Sequence, residues 1–100
     1  MIVVTGTARI PVENMAQALQ AMKALLEATR REEGCLSYNF GRDVLEADLI
    51  IISEQWRDMA AIQAHFATPH MGVFFAAAEG FGMQLIALNA HDVASSQALG

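Results

Sequence analysis

The sequence predicts an α+β domain with the element order βαββαβ, a split βαβ or ferredoxin-like arrangement built on an antiparallel sheet. Three observations carry this reading. Stretches of period-two apolar alternation and stretches of helical periodicity follow one another in that order. Proline or glycine punctuates the junctions, at Pro11, Gly34, Pro69, Gly80 and Gly82. Apolar residues make up 54% of the 100 residues and charged residues only 17%, against about 45–50% and about 25% in an ordinary domain. A single copy this short cannot easily hide that much apolar surface.

The first strand runs from Ile2 to Ile10. Ile2, Val4, Ala8 and Ile10 share one face, and Thr5, Thr7 and Arg9 the other. Pro11 ends it, because proline cannot donate a ladder bond. A helix follows from Asn14 to about Glu33. Asn14 stands at the N-cap and Gln17 at the matching capping-box position. Met15, Leu19, Met22, Leu26 and Thr29 form its expected buried stripe. Gly34 stops it in a left-handed conformation.

Cys35 to Asp43 alternates again, with Leu36, Tyr38 and Phe40 on one face. Leu49 to Trp56 is the most apolar strand, with alternate faces Leu49/Ile51/Ser53/Gln55 and Ile50/Ile52/Glu54/Trp56. Asp58 caps a short helix that reaches about Phe66. Thr68-Pro69 then starts another, because proline suits the first helical position. That helix runs to about Ala78, where Gly80 and Gly82 break it. Met83 to Val93 is the last strand. The chain is thus one domain over 1–100, with a core over 2–93 and a frayed tail over 94–100. Helices cover one sheet face, and apolar residues occur on both faces of the strands. The open face therefore asks for a second sheet, supplied by a homodimer.

Composition excludes several classes. A net charge of −5 and no basic stripe argue against nucleic acid. No apolar run approaches the ~20 residues of a membrane span, and the N-terminal segment lacks signal-peptide features. The expected location is the cytoplasm. The single Cys35 cannot pair within the chain. It follows a helix end, the wrong end to stabilise a thiolate, and reads as structural. Phosphate loops, the GxSxG elbow and H-E-x-x-H are absent.

The chemically informative residues lie between 38 and 75. Glu54 and Trp56 stand two apart on a strand and point the same way. A carboxylate beside a large ring is either a desolvated acid or base, or a core neighbour paired with an arginine. His65 and His70 flank the Thr-Pro break. Two histidines make a poor zinc site. Glu54 offers a third ligand that the spacing does not require, and no metal or other cofactor is expected. His65 alone suits proton transfer near neutral pH. Tyr38 is either a ligand-binding hydroxyl or a core aromatic with its hydroxyl at the rim. Phe66, Met71, Phe74 and their neighbours Met59, Phe75, Phe81 and Met83 either line an adaptable apolar cavity or form plain core. Arg30 and Arg31 read as a solvated helix end.

The segments Glu33-Gly34-Cys35-Leu36-Ser37-Tyr38, Glu54-Gln55-Trp56-Arg57-Asp58 and His65-Phe66-Ala67-Thr68-Pro69-His70 together resemble the antibiotic biosynthesis monooxygenase (ABM) domain. The likeness is to its small quinol monooxygenase-like members and covers about Ile2 to Val93. The resemblance implies a ferredoxin-like protomer in a dimeric α+β barrel, with a ligand pocket between sheet and helices. It implies oxidation of a quinol or polycyclic phenol by dioxygen without metal or flavin. Trp56 would pack on the substrate ring, Tyr38 orient an oxygen, and His65 or Glu54 manage the proton. His70, Phe66, Phe74 and Met71 would contact the substrate.

Relatives that degrade haem use an asparagine on the first strand and a histidine deep in the last helix. Here those stretches offer Thr5 and Thr7, and Val73-Phe74-Phe75-Ala76, which argues against haem. Relatives acting on a small phosphorylated signalling sugar share a similar H-x-x-T-P-H stretch, so an isomerase-type proton-transfer enzyme is the alternative. It needs a cation for phosphate, and Arg9, Arg42 and Arg57 are the candidates. A non-catalytic dimer that binds a small molecule is the third reading.

Overall fold

In the computed structural model, which describes residues 1–100, four strands alternate with three α-helices in the expected order. The strands are β1 (Ile2–Arg9), β2 (Cys35–Arg42), β3 (Leu49–Trp56) and β4 (Gln84–Asp92). The helices are α1 (Met15–Thr29), α2 (Met59–Phe66) and α3 (Pro69–Phe81). The sheet order is β2-β3-β1-β4, and every neighbouring pair is antiparallel. This is the ferredoxin-like arrangement, with the second crossover helix divided between α2 and α3.

Strict alternation settles the central strands. β1 turns Ile2, Val4 and Ala8 toward the helices, and β3 turns Ile50, Ile52, Glu54 and Trp56 the same way. Eighteen buried apolar residues form one core between sheet and helices, with Trp56 and Phe81 fully enclosed. Enclosing such a side chain is worth about 1.5–3 kcal/mol. Gly6 sits on the same side of β1. A Cβ there would meet the Ala87 carbonyl oxygen at 2.6 Å and Leu88 Cδ1 at 2.8 Å, so only glycine lets β1 and β4 approach this closely.

Several local expectations are corrected. Helix α1 begins at Met15, after a 3-10 turn over Val12–Asn14, and ends at Thr29. Asn14 makes no side-chain cap bond; its Nδ2 donates to the Phe81 carbonyl at 3.1 Å, tying the start of α1 to the end of α3. The buried stripe is Met15, Ala18, Met22, Leu25 and Thr29, while Leu19 is exposed. Small Ala18 takes the face on which the larger leucine was expected. Arg30 is not merely solvated: its Nε donates to the Tyr38 carbonyl at 3.0 Å and its Nη2 to Asn39 Oδ1 at 2.8 Å, fastening α1 to β2.

Pairing shifts between Cys35 and Ser37, so Leu36 is an extra residue in β2 and is exposed, while Tyr38 is buried. α3 passes through Gly80 and ends at Gly82, whose left-handed φ of 77° supplies the stop. Residues 94–100 belong to no element and are exposed. No helix is long and apolar enough to cross a membrane.

Exposed apolar groups are unevenly spread. Leu85, Ile86 and Leu88 of β4 and Phe66 and Phe75 of α2 and α3 are all exposed. All nine residues of β4 are exposed in the single chain. The open sheet face is more mixed: Thr5, Thr7, Ile51, Ser53, Ala87 and Asn89 border one shallow depression there.

Candidate functional site

The end of β3 supplies the floor of the site. Two residues apart on one strand, Glu54 and Trp56 both point under the helices. The Trp56 indole Nε1–H donates to Glu54 Oε1 at 2.8 Å, so this carboxylate is paired with the ring beside it and not with an arginine. Burial pushes the Glu54 carboxyl above its ordinary range, and the indole hydrogen bond opposes that rise.

Tyr38 stands opposite Glu54 in the β2–β3 register. Its ring meets Trp56 edge-on at 6.1 Å and His65 edge-on at 5.2 Å. Burial, then the charges of Glu54 and Glu32, push its hydroxyl far above the ordinary tyrosine range. Tyr38 is therefore a neutral hydrogen-bond donor at physiological pH, not a base.

His65 is placed by α2. Asp58 starts that helix by accepting the Ala61 N–H at 2.9 Å. Seven residues on, the buried His65 ring stacks obliquely on Trp56 at 4.8 Å. The Thr68 hydroxyl donates to the His65 carbonyl at 2.7 Å and so ties α2 to the start of α3. In the turn after α1, Glu32 reaches under both helices. Its Oε2 lies 2.7 Å from His65 Nδ1 and 2.7 Å from His70 Nε2. The carboxylate accepts, so both rings carry their proton on the nitrogen that faces it. In the neutral ring this makes Nε2 of His65 the acceptor nitrogen.

These groups border a small, open-mouthed cavity of about 60 Å³ between sheet and helices. Eleven of its 13 lining residues are apolar or aromatic, Tyr38 among them; the other two are Glu54 and His65. Tyr38, Phe66, Met71 and Phe74 line it, as do Phe75 and Met83. Trp56 lies behind Glu54 as its hydrogen-bond donor. Met59 is an exposed residue of α2, and Phe81 belongs to the core.

His70 is not brought to this cavity. It lies beyond Glu32, beside a second depression lined by Ala21, Ala24, Leu25 and Val73. The residue that sequence reasoning missed is Glu32. Its neighbour Glu33 turns outward to Arg57, at 3.3 Å. Nothing in an E-E-G turn says which acid faces inward. The thiol of Cys35 is pushed up by burial and by Glu32 and Glu54, consistent with a structural residue.

The arginines lie elsewhere. Arg9 pairs with Glu46 and Asp48, Arg57 with Glu33 and Asp58, and Arg42 donates to the Ala47 carbonyl. None of the three lines the cavity.

Comparison with known proteins agrees with this architecture. The family model described as antibiotic biosynthesis monooxygenase matches residues 1–77. The Synechocystis protein sll1783 is 33% identical over 73 residues, 73% of this chain but 50% of that protein, so the match spans half of that relative's length. The Escherichia coli protein named "Probable quinol monooxygenase YgiN" is 29% identical over 79 residues, covering 70% of this chain and 76% of that one. A crystal structure of a Deinococcus radiodurans protein superposes with a TM-score of 0.92 at 24% identity, covering 100% of this chain and 99% of that one. At that identity the likeness concerns the fold alone.

Proposed function

Because this chain belongs to the antibiotic biosynthesis monooxygenase family, we propose that it is a cofactor-independent monooxygenase that oxidises a quinol or phenol-type substrate with dioxygen. The observation that supports this best is the cavity's polarity. Its lining is almost wholly apolar, and His65, with Nδ1 held by Glu32, offers a proton-accepting ring within it. The name of the Escherichia coli relative points to the same substrate class.

In this reading a flat, electron-rich ring enters among the aromatic walls. Tyr38 donates a hydrogen bond to one of its oxygens. His65 Nε2 accepts the proton of a substrate hydroxyl, and Glu32 stabilises the imidazolium that results. The phenolate then has the electrons that dioxygen requires. A carbon–oxygen bond forms, one oxygen atom stays on the ring, and the other leaves as water with two hydrogens from the quinol. The reaction draws its electrons from the substrate, so it needs no flavin. The apolar walls exclude water, which keeps the phenolate poorly solvated and reactive.

An isomerase acting on a phosphorylated metabolite fits less well. Its phosphate needs a cation or a group of amide donors, and Arg9, Arg42 and Arg57 are all engaged away from the cavity. The active form in our reading is a homodimer in the cytoplasm, with the second copy over the open sheet face. Sedimentation at micromolar concentration checks the assembly, and a lone 10.8 kDa particle would contradict it.

Oxygen uptake by chelator-treated protein with a panel of hydroquinones and anthrones tests the activity. The expected result is catalysed uptake, with kcat/KM reduced by about 10²-fold or more in His65→Gln, the usual span for losing a general base. Uptake no faster than the uncatalysed rate across the panel would overturn the reading. Full activity in His65→Gln would remove His65 from it.

A further inference from the structure

Glu32, His65 and His70 come from three separate segments: the turn after α1, the end of α2 and the first turn of α3. Their Oε2, Nδ1 and Nε2 atoms nevertheless lie within 4.8 Å of one another. The geometry points to a divalent transition-metal site of the zinc type, held by Glu32 Oε2, His65 Nδ1 and His70 Nε2, with remaining positions open to water.

The donor set chooses the ion. Two imidazoles and one carboxylate suit zinc, iron(II), cobalt, nickel or copper, whereas calcium and magnesium want oxygen ligands alone. Bonds of about 2.0–2.1 Å place tetrahedral ligands about 3.3 Å apart. The two 2.7 Å contacts must therefore open by about 0.6 Å, while the two ring nitrogens need to close to the same spacing. Glu32 lies in a turn and the His70 side chain is partly exposed, so these two can rotate toward a common point with the enclosed His65. A route for the ion exists on the outer side. The His70 side chain is 26% exposed and that of Glu32 13%, against 2% for His65.

Proton bookkeeping closes without a co-reactant. In the metal-free protein the Glu32 oxygen accepts one N–H from each ring. A metal displaces both hydrogen bonds, and each ring proton moves to its other nitrogen, to Nε2 in His65 and to Nδ1 in His70. No proton is released on balance. His65 then presents an N–H to the cavity in place of a lone pair. Metal binding and proton acceptance from a cavity ligand are thus mutually exclusive at this ring. The oxygenation inferred above uses His65 in its metal-free tautomer, so occupancy of the triad opposes that reaction.

Calorimetric titration of the chelator-stripped full chain with zinc chloride tests the site. Cobalt(II) absorption reports the ligand field. The expected result is one ion per chain, with affinity lowered at least about tenfold by Glu32→Gln and by His70→Ala. Histidine ring nitrogen resonances of the unaltered protein provide a second measurement that needs no variant. Those of His65 and His70 shift on titration, and that of His91 does not. Absence of binding heat, unchanged affinity in both variants, or a shift confined to His91 would overturn the proposal. None of these readouts involves turnover, so a missing oxygenase activity leaves the metal site standing, and the reverse holds equally.

Discussion

Trp56→Phe isolates the carboxylate–indole pair on the cavity floor. Phenylalanine keeps an aromatic ring in the core but removes the Nε1–H that reaches Glu54 Oε1 at 2.8 Å. Two costs arise. The first is a packing loss at a fully buried position, which does not depend on pH. The second depends on the charge of Glu54. Burial holds the Glu54 carboxyl above its ordinary range, and the indole bond is what opposes that rise. A folded value above the unfolded one means that ionising Glu54 costs stability. The full benefit is present below the unfolded value of about 4.3. It is lost as pH climbs through the folded value. Removing the indole raises the folded value further, so the variant loses more over the same climb. A hydrogen bond to a charged group contributes about 1.5–3 kcal/mol. The deficit of Trp56→Phe relative to the parent is therefore larger at pH 8 than at pH 4 by up to about that amount.

Urea unfolding followed by far-UV circular dichroism measures this, since the variant lacks the only tryptophan and with it the fluorescence signal. Protein concentration must be held fixed, because any self-association adds to apparent stability. An equal deficit at the two pH values would refute the reasoning. So would a pH-dependent excess that survives in a Glu54→Gln background, where no carboxylate remains to be stranded.

The remaining predictions concern single positions. Glu54→Gln keeps an acceptor for the indole and carries no charge, so it is expected to unfold at higher urea than the parent at pH 8 and to match it near pH 4; parity at both would contradict the burial-driven rise. Gly6→Ala places a methyl 2.6 Å from the Ala87 carbonyl oxygen, a backbone atom that moves only with β4. The expected loss is about 1–3 kcal/mol, the usual range for overpacking. That corresponds to a drop in Tm of several degrees by calorimetry, and an unchanged Tm would mean that β4 yields without cost.

The fold was legible where local chemistry and tertiary demand coincide. β3 was readable residue by residue because its alternation is strict and one face lies under the helices. The division between α2 and α3 was readable because Asp58 and Thr68-Pro69 act within a few residues of themselves. Legibility failed where a distant partner decides. Asn14 looks like a cap, but its amide is used by a carbonyl at Phe81, on another helix. Leu36 sits in an alternating run, but one extra residue in the ladder turns it outward. Ala18 carries too little side chain to announce a buried face, so the larger Leu19 displaced it in the reading. In the site, Tyr38, Glu54, Trp56 and His65 could be named from strand spacing and family pattern. Glu32 could not, because the turn that sends it inward and Glu33 outward is set by where α1 ends, four residues earlier than its composition suggests.

The cavity has one wall unlike the others. Leu85 and Leu88 border it from β4, an edge strand like β2 but one whose nine residues are all exposed. In an isolated chain, local unpeeling of β4 requires no disruption of the three-strand remainder, and its amides are expected to exchange with deuterium early. Because Leu85 and Leu88 form part of the cavity wall, each such detachment widens its mouth. Whatever pins β4 down keeps that wall in place.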